Sequence, residues 1–346
     1  MDSEKDKKRA IYCLTSKGAE LGYRIKQLIG ADLFVHEKIK TGFSCLRFKR
    51  LSSLISEVFH AYREHIFITA MGIAVRGISP YIGSKGSDPA VVVIDQNGRY
   101  CISVLSGHLG GANELCKRIA ELIKATPVIT TATDTEGISS VELLAKKRGM
   151  HIENLSALKE VSFAMIEKEP VQLFDPDNIF PLDYPKIIKV SDETEWRKDI
   201  PGVWVSWKKT EALNNKLIVV PKSLVVGIGC NRGTKKEEIR DAVQSVFRSF
   251  GLNVKAIGLI ATIDKKRDEK GILEFADEMD VAVKFFSSEE LKCISVPNPS
   301  KITERYVRTK SVCEASAIAA VKMGEIVVPK QKFKNVTIAV ALKKAH

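Results

Sequence analysis

Little in this sequence invites a resident metal, a membrane or a nucleic acid. Its seven cysteines, at positions 13, 45, 101, 116, 230, 293 and 313, never form a C-x-x-C pair. That argues against a zinc knuckle, an iron–sulfur site or a disulfide framework. The cysteines are expected as small buried hydrophobes, and no metal site is assigned to the chain itself. No apolar run reaches the roughly 20 residues that span a bilayer. The opening stretch Met1-Asp2-Ser3-Glu4-Lys5-Asp6-Lys7-Lys8-Arg9 is charged and lacks the apolar centre of a signal peptide. It reads as a lead-in to the first strand, and the protein as cytoplasmic. Aromatic residues are scarce, at 7%, and do not interleave with basic ones, so a stacking platform for single strands is disfavoured. No basic helical stripe marks a nucleic-acid reader.

What is present is the composition of a soluble globular protein, in a chain long enough for two or three domains. The 346 residues are 45% hydrophobic and 28% charged. The formal net charge is +12, and from Lys222 onward 23 Lys and Arg face 15 Asp and Glu. Such a balance suits a partner rich in carboxylates or phosphates; a lysine-rich surface serving solubility or heat tolerance fits it equally well.

The first part alternates apolar strands with amphipathic helices. Ala10–Leu14, Ile66–Ala70, Ala90–Asp95, Tyr100–Leu105 and Pro127–Thr130 read as strands, with helices over Ala19–Ile29, Leu51–Tyr62 and Asn113–Lys124. Gln96-Asn97-Gly98 reads as a hairpin turn. Continuous apolar strands separated by helices indicate a mainly parallel sheet covered on both faces. Between about Glu142 and Pro221 the pattern loosens into turns, and all three tryptophans, Trp196, Trp204 and Trp207, fall there. They are expected to staple a small, poorly cored module to its neighbours. From Leu224 the alternation resumes. The expected organisation is an N-terminal α/β domain with Gly-rich loops (1–141), a smaller irregular connecting subdomain (142–221) and a basic C-terminal α/β domain (222–346).

In an open α/β sheet ligands sit beyond the carboxyl ends of strands, where glycine loops lead into helices. Leu105-Ser106-Gly107-His108-Leu109-Gly110-Gly111-Ala112-Asn113 has this form. Its helix start offers free N–H groups to an anion, and His108 is placed to act as a general base or to pin the turn. Thr69-Ala70-Met71-Gly72-Ile73-Ala74-Val75-Arg76-Gly77 also runs from strand into helix; Gly72 permits close approach and Arg76 suits a carboxylate. Thr130–Gly137, with Thr131, Thr133 and Asp134, is a polar rim or an N-cap cluster.

The fourth loop is Gly227-Ile228-Gly229-Cys230-Asn231-Arg232-Gly233-Thr234. Thr234 is expected to cap the following helix, with Glu237 completing a capping box. The glycine spacing matches neither G-x-G-x-x-G nor a P-loop, which weakens both nucleotide readings. Cys230 lacks a histidine partner in its own domain and is a poor nucleophile candidate. Asp264, Glu269 and Glu314 are candidate acid–base groups, with surface pairing to lysines as the ordinary alternative.

Taken in order, Thr69–Arg76, Leu105–Asn113, Thr130–Gly137, Gly227–Thr234, Ala261–Asp264, Val296-Pro297-Asn298-Pro299 and Ser311–Ala315 resemble the cobalt-precorrin-5A hydrolase family of anaerobic cobalamin biosynthesis. The resemblance spans roughly residues 66–340 and is loose over 142–221. It implies an enzyme that opens the δ-lactone joining the ring-A acetate to C20 of a cobalt-bearing corrin precursor. C20 and its methyl group then leave as acetaldehyde, giving cobalt-precorrin-5B. No cofactor is implied, because cobalt arrives with the substrate.

On this reading His108, the N–H groups of Gly110 and Gly111, and Asp264 carry the chemistry. The substrate's carboxylate arms and ring would be held by Met71, Gly72, Arg76, Ser106, Gly107, Asn113, Thr131, Thr133, Asp134, Gly229, Cys230, Arg232, Gly233, Thr262 and Ser311. Arg76 and Arg232 are expected to grip carboxylates from the first and last domains. Expected partners are the corrin precursor and, beyond it, a homodimer mate and neighbouring pathway enzymes, with no nucleic acid or membrane. The principal rival is a non-catalytic tetrapyrrole carrier of the same pathway.

Overall fold

Every residue of Arg9-Ala10-Ile11-Tyr12-Cys13 is buried, because this strand, β1 (Arg9–Cys13), lies inside a sheet covered on both faces, and Arg9 pairs there with Glu64. With it run β2 (Asp32–His36), β3 (Leu46–Phe48), β4 (Glu64–Ile68), β5 (Ala90–Ile94), β6 (Tyr100–Leu105) and β7 (Thr126–Val128), in the order β3-β2-β1-β4-β5-β6-β7. Successive side chains alternate between faces. Ile11, Cys13, Ile66, Ile68, Val92 and Ile94 pack with the helices Ser16–Ile29 and Ala112–Ile123. Ala10, Tyr12, Phe67, Val91 and Val93 pack on the other side with Ile55, Phe59, Ala74 and Ile78. Each large aliphatic or aromatic side chain so buried contributes about 1.5–3 kcal/mol relative to exposure.

This structure, a computed structural model, describes residues 8–84, 87–108, 110–135, 137–138, 140–299, 311–321 and 324–344, apart from the side chains of 133 and 135. The chain forms two compact units, Met1–Leu143 and Leu144–His346.

One reversal inside the first sheet decides where its loops fall. Asp95 accepts the backbone N–H groups of Asn97, Arg99 and Tyr100 through its carboxylate, and Gly98 takes φ +69°. This tight turn sends β6 back antiparallel to β5, with Leu105 opposite Val91. β7 then runs parallel to β6. The carboxyl ends of β6 and β7 therefore lie at the edge where β1, β4 and β5 begin.

The second unit holds two sheets. The first has β8 (His151–Ile152), β9 (Val171–Phe174), β10 (Ile187–Val190), β11 (Gly202–Val205) and β12 (Lys216–Val220), in the order β10-β9-β11-β12-β8, all parallel except β8. This region is more regular than its sequence suggests. Trp204 stacks on Phe174 at 3.8 Å and meets Trp196 edge-on at 5.4 Å. Lys216 is buried with its ammonium 4.4 Å from the Trp204 ring and 3.2 Å from Glu193 Oε1. Trp207 has the stapling role: it packs against the C-terminal core, and its carbonyl accepts the N–H of Asn253.

The second sheet comprises β13 (Leu224–Cys230), β14 (Ile257–Ile263), β15 (Ala282–Phe286), β16 (Glu325–Lys332) and β17 (Val336–Leu342), in the order β15-β14-β13-β17-β16. β13, β14 and β15 are parallel, and β17 runs antiparallel to both β13 and β16. Helices Lys236–Ser249 and Lys270–Glu278 cover one face; Val312–Val321 covers the other. The capping expectation fails here. Lys235 is the N-cap of Lys236–Ser249 and makes no side-chain cap bond, while Thr234 Oγ1 donates to the carbonyl of Asn231. Thr234 sits one residue too early and closes the preceding turn instead.

Among the described residues no helix is long and apolar enough to cross a membrane.

Candidate active site

The loop after β6 is built around four constrained positions. Ser106 takes φ +58°, unusual for a residue with a side chain, and Gly111 takes φ +93° as the N-cap of Ala112–Ile123. A Cβ on Gly107 would lie 2.8 Å from Asn113 Oδ1, and one on Gly110 would lie 2.3 Å from the Ser106 Cβ. The chain thus folds tightly onto the first helical turn. The N–H groups of Ala112 and Asn113 donate to the carbonyls of Ser106 and Gly107. Those of Gly110 and Gly111 find no acceptor among the described residues, nor does the buried hydroxyl of Ser106. Leu109 lies outside the described residues.

A closed ring of hydrogen bonds ties this loop to the one after β7. The Asn113 side chain is buried; its Oδ1 accepts from Ser103 Oγ at 2.6 Å. That fixes Nδ2 as the donor to Thr131 Oγ1 (2.9 Å) and to Asp134 Oδ2 (2.8 Å). Thr131 Oγ1 in turn donates to Asp134 Oδ2 at 2.8 Å. Lys117 Nζ lies 3.2 Å from Asp134 Oδ1, and His108 Nδ1 lies 3.7 Å from Oδ2. Burial alone would raise the Asp134 carboxyl, but the hydrogen bonds from Thr131 and Lys117, with the charges of Lys117 and His108, outweigh it. Asp134 is held ionised below the usual carboxylate range.

His108, Gly110, Gly111, Ser106, Gly107, Asn113, Thr131 and Asp134 therefore come together at one edge of the first sheet. Thr133 belongs to the helical turn Ala132–Thr135 beside them, its side chain outside the described set. Asn113 is buried with both amide hydrogens engaged, and its side chain holds the two loops together.

Met71, Gly72 and Arg76 are not part of this group. They lie on the helix Met71–Ile78, which starts beyond the carboxyl end of β4. The reversal at β6 puts Met71 and His108 at opposite edges, about 15 Å apart along a five-residue strand. Arg76 is exposed and reaches back toward the carbonyl of Gly72. Exposed Met71, Ile73 and Val75 make this an apolar surface.

In the second unit the carboxyl ends of β13 and β14 gather the remaining expected residues. Arg232 is exposed, bonded to Asp268 Oδ1 at 2.5 Å and to the carbonyl of Lys265 at 2.8 Å. Gly233, at φ +74°, donates to Glu269 Oε1, and Lys266 donates to Oε2. Glu269 thus pins the turn. Asp264 opens onto a groove with Lys265, Arg267, Ser288 and Glu289.

Three assignments here change role. Thr262 is fully buried and donates to the carbonyl of Ile228, bracing β13 against β14. Ser311 is buried against Cys313. Gly229 makes room for Thr337 Oγ1, which would be 2.6 Å from a Cβ there. The Cys230 thiol is pushed up by burial, which opposes nucleophile activation.

Lys117 and Ser103 were not singled out in the sequence, although Lys117 lies four residues beyond Asn113, on the same helical face. Glu314, an acid–base candidate in the sequence, is fully buried and has a structural role. Its carboxylate accepts from the backbone and side chain of Asn298 and from the N–H of Lys330, fastening the Val296-Pro297-Asn298-Pro299 segment.

Family models described as cobalamin synthesis G N-terminal, cobalamin biosynthesis central region and cobalamin synthesis G C-terminus match residues 53–134, 139–221 and 224–341. The chain is 31% identical over 352 residues to the cobalt-precorrin-5A hydrolase of Priestia megaterium, covering 96% of this chain and 94% of that one. It is 31% identical over 309 residues to the protein of the same name from Salmonella typhimurium, covering 84% and 85%. A solved structure of a cobalamin biosynthesis protein G homolog from Sulfolobus solfataricus is 23% identical, with 97% of each chain covered and a TM-score of 0.38.

Proposed function

The chain belongs to the cobalamin synthesis G family, and from that premise we propose that it is a cobalt-precorrin-5A hydrolase. The substrate is a cobalt-bearing, partly formed corrin carrying many carboxylate arms. The observation that carries the reading is the pairing, in one glycine loop, of His108 beside the ionised Asp134 with the N–H groups of Gly110 and Gly111, which find no acceptor among the described residues. Ester-type hydrolysis needs these two elements, a base for water and donors for an oxyanion.

His108 takes a proton from the water that attacks the lactone carbonyl. The N–H groups of Gly110 and Gly111 receive the developing oxyanion, an arrangement worth about 10²–10³ in rate per donor. Collapse breaks the bond to the ring oxygen, leaving a ring-A acetate carboxyl and a hydroxyl on C20. Removal of that hydroxyl's proton then drives cleavage of the bond between C20 and the macrocycle. The carbon leaves with its methyl group as acetaldehyde, and the electron pair passes into the electron-poor macrocycle, which is later protonated.

In the second unit the exposed pair Arg232–Asp268 is screened by solvent, which leaves Arg232 a candidate for a substrate carboxylate in exchange for Asp268. Asp264 is a second acid–base candidate at this edge, and Arg76 is a further cation for an outlying arm.

The deciding experiment is His108→Ala with acetaldehyde release followed on cobalt-precorrin-5A. A loss of about 10²–10⁴ in rate is expected for a general base. Undiminished release at unchanged substrate affinity removes His108 from the mechanism. Failure of the native protein to release any two-carbon fragment from bound substrate overturns the hydrolase reading in favour of a carrier.

A further inference from the structure

The carboxylate of Asp134 is held by three side chains of its own unit. Both oxygens are committed: Oδ2 accepts from Asn113 and Thr131, and Oδ1 pairs with Lys117. Asn113 is itself fixed, because Ser103 occupies its oxygen and leaves the amide nitrogen as the only atom able to face Asp134. Two strand ends, β6 and β7, are thereby locked to each other through one buried carboxamide. Among the described residues, Oδ2 also faces a ring atom, Nδ1 of His108, at 3.7 Å.

We propose that Asp134 is the positioning residue of His108: it selects the imidazole tautomer with the proton on Nδ1, and Asn113 and Thr131 hold it in place to do so. The physical reason is a sign preference. An ionised carboxylate is acceptor-only, so it attracts an Nδ1–H and repels an Nδ1 lone pair. Neutral imidazole in water favours the opposite tautomer, so the selection has to be imposed. Closing the gap from 3.7 Å to a hydrogen bond needs less than 1 Å of ring movement, within the tightening expected when substrate binds. With the proton on Nδ1, Nε2 carries the lone pair that accepts the proton from water. The imidazolium formed when His108 takes a proton is stabilised by the same carboxylate.

This inference rests on the reading of His108 as the base, but its test does not depend on turnover. The protein, labelled with ¹⁵N-histidine, is recorded in long-range ¹H–¹⁵N correlation spectra at a pH where the ring is neutral, with His108→Gln identifying the resonance. The pattern of an Nδ1–H tautomer is expected. An Nε2–H pattern in the native chain overturns the proposal, whatever the variants do. Asp134→Ala should move the ring toward Nε2–H, and Asn113→Leu should do so in part.

On substrate, Asp134→Asn should lower kcat by about 10-fold to 10³-fold with KM within about threefold, since a positioning role acts on the base. A rise in KM with kcat unchanged would make Asp134 a substrate contact and overturn the assignment. If acetaldehyde is never released while the native ring is Nδ1–H, the hydrolase reading fails and the tautomer assignment survives.

Discussion

Gly227 and Cys313 approach so closely that a Cβ on Gly227 would lie 1.9 Å from the Cys313 carbonyl oxygen and 3.0 Å from Ala317 Cβ. The helix Val312–Val321 therefore rests directly on the backbone of β13. Gly227→Ala should push that helix off the sheet and cost about 3 kcal/mol, the upper range for overpacking a core. Urea unfolding of the variant measures this, and an unchanged midpoint contradicts the packing argument.

A second prediction concerns acid. His65 is fully buried; its Nε2 faces the carbonyl of Phe59 and its Nδ1 meets the Tyr12 hydroxyl at 2.9 Å. Burial pushes its imidazole down from 6.5 to about 4, with the positive His60 adding to the effect and the carbonyls of Phe59 and Tyr62 partly offsetting it. Between those values the unfolded chain binds a proton that the folded chain refuses. Stability is unaffected by His65 above pH 6.5 and falls by about 3 kcal/mol as the pH drops to 4. The double variant Tyr12→Phe, His65→Phe should flatten that slope in denaturant titrations across pH 4–7.

How far this was legible in the sequence follows from burial. β1, β4 and β5 are covered on both faces, so apolar runs such as Ala10-Ile11-Tyr12-Cys13, Ile66-Phe67-Ile68 and Ala90-Val91-Val92-Val93-Ile94 stand out. β9 and β12 escape the same reading because each carries a buried polar residue. Gln172 serves the carbonyls of Arg197 and Ile200, and Lys216 lies over Trp204. The loop holding His108 stands out through its glycines. Its separation from Met71 and Arg76 does not, since that depends on the direction of each strand. The Asn97-Gly98 turn signals one reversal, but the edge on which each loop emerges is a property of the whole sheet. Gly227 and Gly229 suggest a ligand in sequence; in the fold they admit a helix and a threonine.

Lys216 provides a test of the middle sheet. Its aliphatic stem is buried and its ammonium lies over two tryptophan rings. Lys216→Ala should destabilise this domain by about 2–4 kcal/mol through the lost packing. Lys216→Met keeps the stem and should recover more than half of that. Equal losses in both variants, read by tryptophan fluorescence during unfolding, would shift the weight from packing to charge.

Glu314 is the anchor of the segment Val296–Pro299. In Glu314→Ala the N–H of Asn298, its carboxamide and the N–H of Lys330 all lose their acceptor, at about 1–3 kcal/mol for each group left buried. Amide hydrogen exchange at Asn298 and Lys330 should accelerate at least tenfold, while amides of β14 keep their protection. Unchanged exchange at Asn298 would show that the segment is held by other means.

The position of β17 has a consequence for how the protein is made. β13 is the centre of its sheet, yet one of its two neighbours is a strand that begins more than 100 residues later. A ribosome that has delivered β13, β14 and β15 has produced a sheet whose middle strand is bare along one side. Until residue 342 emerges, that edge can pair with any extended segment within reach. Synthesis rate and chaperone occupancy over this interval, more than the final stability of the domain, should set the yield of correctly folded protein.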